Sequence, residues 1–267
     1  MRLIRLLALT ALVALVVAGC SGDSDEGSST TTVATTASVS TTTTSVTTTS
    51  VTTTSSVPTT TGAPTQACTS GRVEPPAGAA TKEVPDVDGD GKPDQGWISE
   101  AADGTVTVGI DTAAGGGFTA PFESASPVMR SVLVANVDEQ GPVELLSDDG
   151  RIVQLHAVVD CAIVPVTNPE GETYRFGLGF TDVGTGVGCV DTAEGRRLVG
   201  LDVTKDEGDD VAWSRTIIEL DGTDARNGAT TTGTFHRPEE AEAIDLLHQV
   251  TCGTLTVPAD ALTAPQR

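Results

Sequence analysis

The sequence predicts an all-β head, either a small or incomplete β-propeller-like domain or a β-sandwich, with one C-terminal helix, carried behind a disordered linker. Three observations carry this expectation. Residues 67–267 break into short alternating apolar runs separated by Gly- and Asp-rich turns. A pattern of Asp-rich loop, short apolar strand, Asp-Gly turn and alternating strand recurs at a spacing near fifty residues. Only one stretch of the head, 238–250, has helical periodicity.

The elements follow in order. TVTVGI (105–110), SVLVANV (131–137) and RIVQLHAVV (151–159) are strand candidates, as are ETYRFGLGF (172–180), SRTIIEL (214–220) and GTLTVP (253–258). In PEEAEAIDLLHQV (238–250), Pro238 suits a first helical turn and Glu239 and Glu240 suit the positive end of the helix dipole. Ala243, Ile244, Leu247 and Val250 then share a face. The repeat pairs residues 84–110 with 133–156, so that Asp86 and Asn136 begin two loops 50 residues apart. A third, weaker copy is expected at 186–203, with Asp191 and Glu194 out of register. A period near fifty suits blade-like units that stack their sheets.

Three segments make up the chain. Residues 1–19 read as a signal peptide: Arg2 and Arg5, then an apolar run from Leu6 to Val17, too short to span a bilayer comfortably. About 29 of residues 21–66 are Ser or Thr, without apolar periodicity. Such a segment buries too little surface to offset the entropy of ordering, so residues 20–66 are expected to be a linker, naked or O-glycosylated. Residues 67–267 form the extracytoplasmic domain. The chain carries a formal charge of −22, and loss of Arg2 and Arg5 with the signal leaves −24. Such a surface repels nucleic acid and excludes it as a partner.

Val17-Ala18-Gly19-Cys20 closes the apolar run, and small residues before a cysteine there resemble the lipobox of bacterial lipoproteins. The resemblance implies cleavage before Cys20 and lipid on its thiol and amine. It places the head at the outer face of the bacterial cytoplasmic membrane or the cell surface, with the membrane as a partner through the anchor. Acyl chains contribute about 0.8 kcal/mol per buried methylene, so several chains hold firmly.

Cys68, Cys161, Cys189 and Cys252 remain. An even number in an exported domain predicts two disulfides with three possible connectivities. We expect Cys68–Cys161 and Cys189–Cys252, the second tying the C-terminal strand to the body. No CxxC pair points to zinc.

The densest chemistry lies in DVDGDGKPD, residues 86–94. Numbered from Asp86, positions 1, 3, 5 and 9 are Asp86, Asp88, Asp90 and Asp94. Gly91 is at position 6, and Lys92, at position 7, has a backbone carbonyl to offer. Calcium takes six to eight oxygens at about 2.3–2.6 Å, and alternate carboxylates on a sharp turn supply them. The bland alternative is an acidic turn, in which the carboxylates repel one another without a cation. Trp97 stands where an EF-hand needs a bidentate Glu. The pattern resembles the calcium loops of FG-GAP or VCBS repeats, which implies Asp86, Asp88, Asp90, Lys92 (by its carbonyl) and Asp94 as ligands of a structural Ca2+. Asn136, Asp138, Gln140 and Glu144 occupy the four positions of the second loop, with two charges fewer. Calcium there is expected to be weak.

Nothing else announces chemistry. His156, His236 and His248 are in no metal spacing, no nucleophile elbow or P-loop is present, and GTGVG (184–188) reads as a flexible turn before Cys189. Trp97 and Trp213 read as core. The expectation is therefore an envelope binding or structural module with an unknown envelope or protein ligand. The alternatives are a carboxylate-based hydrolase of envelope polymers, or an accessory subunit of a membrane complex. A cleft of acids with raised pKa values favours the hydrolase, and a large exposed apolar patch favours the subunit.

Overall fold

The computed structural model describes residues 67–265, except 125, 127 and 180–184. The segments expected to be a signal peptide and a linker, Cys20 among them, lie outside the described residues. Residues Val57–Arg267 are one compact unit, and all three apolar cores and both disulfides close within residues 68–264. This unit therefore holds everything it needs to fold by itself.

The head is all-β, as expected, and is built from three antiparallel meanders. The first comprises β1 (Ala80–Val84), β2 (Asp94–Glu100), β3 (Val106–Asp111) and β4 (Gly117–Pro121), paired in that order. The second comprises β5 (Ser131–Ala135), β6 (Glu144–Asp148), β7 (Ile152–Val159) and β8 (Ala162–Pro165); β9 (Arg175–Gly177) also pairs with β7. The third comprises β10 (Thr185–Thr192), β11 (Gly195–Glu207), β12 (Asp210–Asp221) and β13 (Asp224–His236). Next come α1 (Ala241–Leu246), the short pair β14 (Thr251–Cys252) and β15 (Leu255–Thr256), and α2 (Val257–Asp260). Finally β16 (Leu262–Thr263) returns to pair with β5.

The second sheet lies between the other two, and its sequence explains why. Val132, Val134 and Leu145 pack with Ile98, Val108 and Ile110 of the first sheet. Leu133, Leu146 and Leu155 pack from the opposite face with Leu198 and Ile218 of the third. A strand buried on both faces reads as a continuous apolar run, which is what SVLVA shows. The first sheet has one such neighbour, and β1 alternates accordingly.

The fifty-residue repeat is present in the first two sheets down to single hydrogen bonds. The first loop joins β1 to β2, and the second joins β5 to β6. The Asp86 Oδ1 accepts the Gly89 N–H at 2.7 Å; fifty residues on, Asn136 Oδ1 accepts the Glu139 N–H at 2.6 Å. Both amide residues have positive φ, 75° for Gly89 and 59° for Glu139. The Val87 N–H donates to Asp94 and the Val137 N–H to Glu144.

The third copy is a different structure. Residues 186–203 form most of the β10–β11 hairpin, closed by Ala193-Glu194, with no Asp-rich loop. Asp191 accepts from Arg196 and Glu194 from Thr192. The described part of GTGVG is strand, not a flexible turn. A Cβ on Gly186 would come within 2.5 Å of the Leu247 carbonyl oxygen, so glycine here permits a close backbone approach. That approach also shortens the helix expected at 238–250. Ile244, Leu247 and Val250 are buried as the periodicity implied, but α1 ends at Leu246 and the Val187 N–H takes the Gln249 carbonyl. His248 thus lies in a turn. The strand expected at 253–258 divides: β15 ends at Thr256, whose hydroxyl caps α2 by accepting the Ala259 N–H, with Pro258 in the first turn. Of the strand expected at 172–180, only β9 forms among the described residues.

Each tryptophan stands across from a glycine on the next strand: Trp97 opposite Gly109, Trp213 opposite Gly233. The indoles lie over these glycines, where a Cβ would come within 2.1 and 2.5 Å respectively. Trp97 is buried in full, and Trp213 stacks on Phe235 beside Ile244 and Leu247.

Both expected disulfides form. Cys68–Cys161 joins the start of the head to the β7–β8 turn, and Cys189–Cys252 joins β10 to β14.

Candidate functional site

The segment of residues 86–94 brings three of its four aspartates together. One carboxylate oxygen each from Asp86, Asp88 and Asp94 lies within 4.8 Å of the others. Among the described residues this is the one such grouping of three His, Cys, Asp or Glu side chains. Asp88 and Asp94 are buried, whereas Asp86 is half-buried. Asp94 is held because it opens β2, and its register opposite Val84 fixes its direction.

Backbone amides converge on the cluster. Asp86 accepts from Gly89, Asp90 and Gly91; Asp88 accepts from Asp90 at 3.3 Å and from Cys68 at 2.8 Å; Asp94 accepts from Val87 and Ala113, each at 2.8 Å. These dipoles offset part of the mutual repulsion. They leave lone pairs, since each carboxylate has about four acceptor sites. Burial pushes the Asp94 carboxyl above its usual range, and Asp88 and Asp86 push the same way; the Val87 and Ala113 amides pull it back. The chemistry suits a hard cation with oxygen ligands.

Asp90 is outside the group. Its Oδ1 accepts the Lys92 N–H at 2.8 Å, and its Oδ2 lies 3.7 Å from the exposed Lys92 ammonium, the Asp90 side chain itself being only 10% exposed. Alternation alone would have aimed Asp90 inward. Asp90 is instead bonded to the amide two residues on, across Gly91 at φ 84°.

Two contributors were invisible to the local pattern. Cys68, 20 residues upstream of Asp88, donates its amide to the buried carboxylate. Its carbonyl is in turn held by the Thr112 hydroxyl and the Gly116 N–H. Ala113 donates from the β3–β4 turn. Neither position has a residue type that signals a site, because the backbone does the work. A solvent-open depression of about 360 Å³ lies beside Asp94, lined by Arg72, Glu83, Gln95, Asp111 and Thr112 among others.

The second loop keeps the shape without the cluster. Glu144, at the place of Asp94, is 1% exposed and accepts the Val137 N–H at 3.2 Å. Burial first, and Asp138 further, push its carboxyl up to about 8. Asp138 instead accepts the Gln140 and Gly141 amides.

The remaining candidates sit apart. His156 is half-buried against Ser147, and burial lowers its pKa. His236 is exposed and bonds Asp210 at 2.7 Å, which raises its pKa. Burial also raises Asp148, which the Gly150 amide contacts. The exposed large apolar residues among those described are Val128, Met129 and Leu246. The chain matches no known protein family, no curated protein and no solved structure.

Proposed function

We propose that the protein is a membrane-anchored extracytoplasmic lipoprotein whose β-repeat head is locked by calcium and serves as a binding or structural module of the cell envelope. The observation that carries the calcium part is the juxtaposition of Asp86, Asp88 and Asp94 under buried or half-buried conditions. Three carboxylates so placed destabilise one another unless a cation or protons balance them. The ion's role is structural: it closes the β1–β2 loop and fixes the Cys68 and Ala113 segments around it. The lipid anchor rests on the Val17–Cys20 motif, which resembles a lipobox.

Titration calorimetry of residues 57–267 with calcium, beside Asp86→Asn, tests the site. Asp86 is the least buried of the three, so the variant is expected to stay folded. Binding in the parent and its loss or steep weakening in the variant supports the reading. Absence of binding in the parent leaves DVDGDGKPD an acidic turn closed by amides. Metabolic labelling with a fatty acid, lost on Cys20→Ala, tests the anchor separately.

A further inference from the structure

We infer that the free edge of β13 is a self-association surface, through which two copies of the head join their third sheets into one continuous antiparallel sheet. The sheet order β10-β11-β12-β13 leaves β13 at the edge. The Arg237 N–H donates to the Asp209 carbonyl, so 237 and 209 are a hydrogen-bonded pair. Antiparallel alternation then turns the N–H and C=O of residues 236, 234, 232 and 230 away from β12. His236 confirms the phase. Its N–H donates to Glu240 Oε2 at 2.7 Å, and its carbonyl accepts the Glu240 N–H. Thr230, Thr232 and Thr234 are left with outward backbone groups that no described residue meets.

The open window has defined ends. At one end Glu240 occupies the groups of His236. At the other, Thr230 pairs with Thr216 while Asn227 pairs with Ile218, so Gly228 and Ala229 bulge opposite one residue. The midpoint of 228 and 236 is Thr232. A two-fold axis at Thr232 pairs 232 with 232, and 230 with 234 of the second copy. That matches every outward donor with an outward acceptor, for six hydrogen bonds, and both ladders stop where the structure already stops them.

Charge selects the same occupant. The chain carries a net −22, so two copies repel over most of their surface. Residues 227–235, NGATTTGTF, contain no charged side chain. The flanking Arg226 is bonded to Glu219 at 2.7 Å, and His236 to Asp210. Nor does the run carry the lysine or proline with which edge strands are usually blunted. Facing Thr–Thr pairs suit an antiparallel ladder.

Sedimentation equilibrium of oxidised residues 57–267, from about 1 µM to about 1 mM, reads the association. Thr232→Pro removes an outward N–H that β12 does not use, and Thr232→Lys brings two cations together at the axis. The expected result is a parent mass that rises towards the dimer with concentration. Each variant should weaken association by at least about tenfold at unchanged melting temperature. A parent that stays monomeric throughout, or variants that dimerise like the parent, would overturn the inference. So would a longer chain (20–267, Cys20→Ser) that is monomeric yet protects the Thr230, Thr232 and Thr234 amides from exchange. In that case the chain's own Thr-rich segment would be the occupant.

Discussion

Glu144 gives the sharpest prediction about stability. Glu144 is 1% exposed, on the face of β6 that Leu146 shares towards the third sheet, and its carboxyl accepts the Val137 amide. Its pKa moves from 4.5 to about 8 on folding. Between those values the folded chain holds a proton that the unfolded chain has released. Stability therefore falls as pH rises through this window and levels off above the folded pKa. At about 1.4 kcal/mol per pH unit, the full loss is on the order of 5 kcal/mol. Glu144→Gln removes the proton linkage while keeping an acceptor for the Val137 amide. His156 titrates the other way, because burial lowers its pKa, so that it gains stability as pH rises. That contribution is common to both proteins and cancels in their difference. The assay is urea unfolding at several pH values from about 5 to about 8.5, with a chelator present throughout. The variant should gain on the parent steadily across the range, by several kcal/mol in total. A difference that stays constant with pH refutes the argument, because it would mean that Glu144 is ionised in the folded state.

The other predictions are independent of that one. Gly109→Ala sets a Cβ against the buried Trp97 indole and should cost about 1–3 kcal/mol in unfolding free energy through overpacking. Leu155→Ala removes a fully buried side chain from the face shared by the second and third sheets and should cost about 2–5 kcal/mol. Replacing Cys189 and Cys252 together by Ala opens a closure of 63 residues, for a loss of about 4 kcal/mol in chemical denaturation.

The fold was legible where side chains carried the pattern. The doubly buried SVLVA run, the apolar run of β7 and the repeated loop all announced themselves. The edge strands did not: β1 reads ATKEV and β13 reads DARNGATTTGTFH, exposed enough that no apolar alternation is required of them. The last fifty residues misled for a related reason. Ile244, Leu247 and Val250 have helical spacing, but Val250 serves the core only after the chain has left the helix to pair with Val187. At the site, the odd-position spacing found Asp86, Asp88 and Asp94. Asp90 stands outside that group of three, bonded to Lys92. The spacing missed Cys68 and Ala113, since an amide donor leaves no mark on residue type.

If calcium completes the Asp86–Asp88–Asp94 cluster, thermal unfolding of residues 57–267 should depend on the ion. At a calcium concentration about a hundred times the dissociation constant, mass action adds about 2.7 kcal/mol. For a domain of this size that raises the melting temperature by about 5–10 °C. That rise should be graded with calcium, reversed by chelator and lost in Asp86→Asn. A melting temperature that ignores calcium in the parent would contradict that reading, and backbone amides would then be what holds the three carboxylates together.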